Sequence, residues 1–150
     1  MAAISHRPTT GQRGKNEEKE VHRWLENVDR QLHHFDWLRL PDARTAMGRG
    51  TAMPGDFEFF YRNGHGLIEV KAVAHDFRLP VKNVTQLPRM RKRALAGGDC
   101  YILVHHTTSG QWRRIPATEM DLRDAGSWDL SGYPAYDSVA QALPLTLFGG

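Results

Sequence analysis

Between Val21 and Leu32 the apolar side chains recur every three or four positions: Val21, Trp24, Leu25, Val28 and Leu32. On a helix this spacing gathers them into one stripe, which predicts an amphipathic helix from about Asn16 to Leu32. Asn16 is placed to cap it, with acids in the first turn. Further on the period changes to two. Phe57, Phe59 and Tyr61 alternate with Asp56, Glu58 and Phe60, Asn63-Gly64 reads as a turn, and Leu67 to Val73 returns as a second strand. A second helix is expected from about Thr85 to Leu95. Pro88 falls in its first turn, where a missing N–H costs little, and Gly97-Gly98 ends it. Leu87, Met90, Ala94 and Leu95 form its expected buried face. Tyr101 to Val104 is short and wholly apolar, as a central strand is. Another strand is expected near Trp112–Ile115, after a turn at Ser109-Gly110. The order helix, hairpin, helix, strand, strand predicts an α/β fold with a central mixed sheet flanked by helices.

Composition narrows the picture. A chain of 150 residues suits one domain. The single cysteine, Cys100, excludes an internal disulfide and a multi-cysteine zinc site, and its apolar neighbours make it a small core residue. No apolar run reaches the length of a membrane span and no signal-peptide pattern opens the sequence, so a cytoplasmic protein with no membrane partner is expected.

The net charge of +3 hides an uneven distribution. Residues 1–118 hold 19 Lys and Arg against 12 Asp and Glu, a net of +7; residues 119–150 hold 1 against 5, a net of −4. Three regions follow. Residues 1–16, with Arg7, Arg13 and Lys15 and no acid, read as a flexible basic arm. Residues 17–118 read as the folded core. Residues 119–150 read as an acidic segment that packs on the core or forms a dimer interface, with Leu143, Leu145, Leu147 and Phe148 as its apolar contacts. A basic body attracts a phosphate backbone. The loop over 42–55 adds Arg44 and Arg49. Between Asp76 and Asp99 there are six cations and no acid: Arg78, Lys82, Arg89, Arg91, Lys92 and Arg93.

Glu69-Val70-Lys71 carries the chemistry. Residues two apart on a strand share a face, so Glu69 and Lys71 point together out of an otherwise apolar segment. The hairpin brings Asp56 across from Glu69. Two converging carboxylates repel unless one is protonated or a cation lies between them. Mg²⁺ takes such oxygen ligands and activates water for phosphodiester hydrolysis, and Lys71 is placed to orient that water or stabilise the developing charge. The bland alternative is a surface Glu–Lys pair with a structural Asp.

Pro54-Gly55-Asp56 followed by Glu69-Val70-Lys71 resembles the signature of the PD-(D/E)xK nucleases. More narrowly, residues 14–116 resemble Holliday junction resolvases of the RecU and archaeal Hjc type. Gly14 and Glu18, the run Glu18-Lys19-Glu20-Val21, Phe77-Arg78-Leu79, Gln86-Leu87 and the Gly-Gly before an apolar strand fall in the family's order. The resemblance implies a restriction-endonuclease-like core and a homodimer that cuts four-way DNA junctions with Mg²⁺ or Mn²⁺. It implies Glu18, Asp56 and Glu69 as metal-site carboxylates and Lys71 as the catalytic lysine. DNA contacts are then expected from Arg7, Arg13, Lys15, Arg44, Arg49, Arg78, Lys82, Gln86, Arg89, Lys92 and Arg93, with Gln86 near the metal-bound water. The chain is shorter than RecU and has Arg78 where that family often has Pro, and its compact size resembles phage-encoded resolvases. A restriction-like or repair nuclease and an inactive DNA-binding module are the competing readings.

Two secondary expectations complete the reading. Glu18 lies near the buried face of the first helix, whereas Glu17 and Glu20 are taken as more exposed. The adjacent pairs His33-His34 and His105-His106 lack the i, i+4 spacing of helical metal ligands and are taken as surface or strand-end residues.

Overall fold

A computed structural model describes residues 10–41, 53–74 and 77–150. The first element is a long helix, α1 (Thr10–Gln31), then a short strand β1 (Asp36–Arg39), the hairpin β2 (Phe57–Tyr61) and β3 (Gly64–Val73), and a three-residue strand β4 (Arg78–Pro80). Helix α2 (Leu87–Leu95) leads into β5 (Asp99–His106) and β6 (Gln111–Pro116), then β7 (Ser127–Asp129) and a one-turn helix α3 (Val139–Ala142). Five strands form the main sheet in the order β1-β2-β3-β5-β6, and β4 and β7 pair separately. Only the β3–β5 pair is parallel, with α2 in its crossover, so the sheet is mixed as expected.

The strands alternate sides, and each side has its own core. Phe57, Phe59, Ile68, Val70 and Leu103 face Val21, Leu25 and Val28 of α1. Leu67, Cys100, Ile102 and Val104 face Leu87 and Met90 of α2. Cys100 is buried, as its neighbours predict. Among the described residues, no helix is long and apolar enough to cross a membrane.

Several expectations shift. Helix α1 starts at Thr10, so Asn16 lies inside it rather than at its cap, and residues 10–16 belong to a helix rather than an arm. The hairpin turns at Arg62-Asn63, one residue early, and Gly64 pairs with Tyr61. The Tyr61 ring covers Gly64 so closely that a Cβ there would overlap it. Leu95 is 78 % exposed and leaves the α2 core to Leu87 and Met90. It stands in the last turn, where the helix pulls away from the sheet before Gly97 takes a left-handed φ of 110°.

His105 and His106 are the last two residues of β5, strand-end positions as expected, but His106 is buried rather than on the surface. Arg113 meets its Nε2 at 2.8 Å, donates to the Tyr133 carbonyl at 3.1 Å and covers the Phe77 ring at 4.7 Å. Leu143 and Phe148 are fully buried in the α1-side core, with Leu145 and Leu147 packed against it. The Trp24 indole N–H donates to the Leu143 carbonyl at 2.7 Å. Leu143 and Phe148 therefore fill the subunit's own interior and have no surface left to offer a dimer interface.

Candidate active site

Glu69 sits at the middle of β3, flanked on its own face by buried Leu67 and half-buried Lys71. Its side chain is only 2 % exposed, and Lys71 Nζ lies 3.4 Å from Oε1. Asp56 arrives from the residue before β2. Its N–H donates to the Ile68 carbonyl at 2.9 Å, and its Oδ2 accepts from the Val70 N–H at 2.7 Å. The side chain thus takes a β3 amide that a continuing β2 would otherwise have engaged, which aims the carboxylate along β3 beside Glu69. Pro54 and Gly55 are buried against this strand, and a Cβ at Gly55 would come 3.2 Å from the Ile68 carbonyl oxygen. A small residue there lets the chain run close enough for Asp56 to reach.

The electrostatics of this pair are strained. Burial pushes the Glu69 carboxyl up to about 9; the Asp56 carboxylate, hydrogen-bonded to it, pushes the same way, and Lys71 pulls back only in part. Glu69 Oε2 is buried and has no hydrogen-bond partner among the described residues. A buried carboxylate oxygen left without a donor is costly, and a cation relieves that cost. By this test Asp56 and Glu69 fit a divalent metal ion.

Glu18 comes from the opposite layer, on α1. Burial raises its carboxyl and the nearby Asp56 carboxylate adds to this, while Arg39 and Lys71 act against it. Its Oε2 accepts from the Arg39 guanidinium at 2.7 Å. Glu18, Lys19, His22 and Arg39 line a cavity of about 180 Å³ beside it. Among the described residues no three acidic or imidazole side chains are already gathered around one point.

Glu17 does not compete for this site. It is buried, 6 % exposed, and its Oε1 lies 2.8 Å from His105 Nδ1. The expectation that it is the more exposed neighbour is overturned: Glu17 continues the apolar stripe four residues before Val21, whereas Glu18 faces the strand ends. Sequence reasoning also missed Arg39. Its strand is four residues long with no clear alternation, and the one signal was a cation between Leu38 and Leu40.

The expected DNA contacts fall into three groups. Arg7, Arg44 and Arg49 lie outside the described residues, and Arg13 and Lys15 fall on the first turns of α1. Arg89, Lys92 and Arg93 line a cleft of about 720 Å³ with His65, Pro88 and Ala96. His65 precedes Glu69 by four residues on the same face of β3, about 13 Å along the strand. Arg93 also meets Glu58 at 3.4 Å. Arg78 lies on β4 and Lys82 in the turn after it, both exposed. Gln86 precedes the first residue of α2 and its Oε1 meets the Thr85 hydroxyl at 3.5 Å. Arg91, by contrast, points inward to the carbonyls of Ala117, Thr118 and Met120, tying α2 to the segment after β6.

No protein-family model matches this sequence, and no curated protein matches it. Solved structures do. One is Archaeoglobus fulgidus Hjc, a Holliday junction resolvase from an archaeal hyperthermophile, which aligns with a TM-score of 0.54 over 85% of this chain and 98% of that one, at 20% sequence identity. This chain has the mixed α/β, restriction-endonuclease-like fold of Hjc.

Proposed function

We propose that this protein is a metal-dependent endonuclease of the PD-(D/E)xK type that resolves four-way DNA junctions. The observation that carries the reading is the buried, unpartnered Glu69 Oε2, set beside Asp56 and one strand pitch from Lys71. A purely structural strand gains nothing from such an arrangement. The likeness of fold to a junction resolvase supports the choice of DNA, and of branched DNA, as substrate.

In this reading Asp56 and Glu69 hold Mg²⁺ or Mn²⁺, and Glu18 completes the set. A divalent cation there neutralises charge on the scissile phosphate and lowers the pKa of water. The chain's own groups do the rest. Asp56 is locked by the Val70 amide, so its free oxygen keeps a fixed direction. Lys71, with its ammonium held against Glu69, orients the attacking water and stabilises charge that builds on the phosphate. Arg89, Lys92 and Arg93 hold backbone phosphates on the same face of the sheet. A homodimer supplies the two equivalent sites that symmetric cutting requires.

The test is cleavage of a synthetic four-way junction beside a linear duplex of the same sequence, with Mg²⁺ or EDTA, for wild type and Glu69→Gln. Paired, metal-dependent cuts in the junction alone, absent from the variant, are expected. Equal cutting of both substrates would keep the nuclease and remove the resolvase. Tight junction binding without cutting in any divalent ion would leave a DNA-binding module.

A further inference from the structure

Beside the proposed catalytic carboxylates lies a buried polar contact that the chemistry does not use. Glu17 occupies a position in the apolar stripe of α1, where a leucine would bury more favourably. One of its oxygens meets His105 Nδ1 at 2.8 Å, and Oε2 has no partner among the described residues. Such a pair stabilises less than apolar residues of the same size. It offers direction instead. Apolar packing leaves a helix free to roll by some degrees, whereas a hydrogen bond holds one azimuth.

We propose that His105, through Glu17, is a positioning residue that sets the roll of α1 and so turns Glu18 toward Asp56. This rests on the reading of Glu18 as part of the metal site.

The geometry supports each link. The His105 ring is stacked on Trp112, with centroids 4.4 Å apart and planes 29° from parallel. Its backbone lies in β5 opposite Ala72, one step beyond the pairing of Val104 with Lys71. The donor therefore stands on the strand paired with the one that carries Glu69 and Lys71. The acceptor is the residue next to Glu18, and neighbours on a helix are about 100° apart, so fixing one fixes the other. Arg39 meets Glu18 at 2.7 Å, and the Glu17 bond is a second directional contact on the same turn of α1.

The experiment is a double-mutant cycle on the full chain, reading kcat and KM on the junction and Mn²⁺ affinity by calorimetry. His105→Ala is expected to lower kcat and Mn²⁺ affinity 10- to 100-fold with KM nearly unchanged, the scale of a small misplacement of a reacting group. His105→Asn, whose amide nitrogen stands near Nδ1, should recover most of both. In a Glu18→Gln background, His105→Ala should cost nothing more. Equal losses in both backgrounds would overturn the proposal, because the bond would then act independently of Glu18. If Glu18→Gln alone is silent, the reading of Glu18 fails first and this inference falls with it. Should His105→Ala not fold, Glu17→Leu decides: it fills the stripe, so the melting temperature should hold or rise while kcat and Mn²⁺ affinity drop. Stability and activity falling together would make the pair merely structural.

Discussion

The start and the middle of β3 treat charge differently. Near its start the buried and half-buried polar groups meet partners: the Tyr61 hydroxyl donates to Asp99, and Glu58 meets Arg93 at 3.4 Å. The Asp99 bond holds the Tyr61 phenol well up, to about 12. Three residues past Gly66 the pattern reverses. Glu69 is more deeply buried than Glu58, faces a second carboxylate and leaves one oxygen without a donor. Satisfied polar groups at one end hold the sheet together; the unsatisfied one marks where a ligand is expected to enter. Both parts share β5 as a neighbour, but β2 pairs only as far as Ile68, and Asp56 takes over beside Glu69.

The comparison breaks most sharply at Glu69. Glu69→Gln should lower junction cleavage roughly 10³-fold or more while the protein folds normally, as read by single-turnover kinetics and circular dichroism. The pH dependence sharpens it. The folded protein holds the Glu69 proton more tightly than the unfolded chain, so this contribution to stability is whole below about pH 4.5 and is lost as pH rises to about 9. Urea unfolding in EDTA should therefore show stability falling by a few kcal/mol at most between pH 5 and pH 9. Glu69→Gln should flatten that slope, and excess Mn²⁺ should restore wild-type stability at pH 8.

At the satisfied end the effects reverse in kind. Tyr61→Phe should cost about 1 kcal/mol of stability and leave the single-turnover rate within a few-fold, measured by denaturation and kinetics on one preparation. Glu58→Gln, which weakens a part-exposed ion pair, should change stability by less than about 1 kcal/mol. A loss of cleavage from either of these as large as that from Glu69→Gln would erase the distinction between the two parts.

What the sequence made legible was local. The β2–β3 hairpin was readable because Phe57, Phe59 and Tyr61 alternate within five residues, and Glu69 and Lys71 follow from period two without any distant partner. β1 was not. Asp36-Trp37-Leu38-Arg39 is mostly exposed and becomes a strand by pairing with β2, which lies well beyond it in the sequence. β4 and β7 are three residues each and exist only through each other. The same limit applies to the site. Asp56 and Glu69 were legible as hairpin neighbours, whereas Arg39 and His105 reach α1 through tertiary contacts that leave no periodic trace. The buried Glu17 was misread for the related reason that a carboxylate in an apolar stripe looks like a break in it. The apolar residues of the tail were visible, but their destination beneath α1 was not.

That destination has a consequence in time. The apolar stripe of α1 closes against Leu143 and Phe148, and Trp24 hydrogen-bonds a carbonyl 119 residues later in the chain. On a ribosome adding 5–20 residues per second, that interval is roughly 6 to 24 s. All four proposed catalytic residues are then already made, yet the part of the α1 seat that Leu143 and Phe148 supply is still missing. A chain ending at Ser138 should bind junctions weakly and cut them at under about a tenth of the full rate, measured beside the intact protein. The proposed site is thus complete only after a segment far down the chain has been made, so its residues are present in the nascent chain well before their support is.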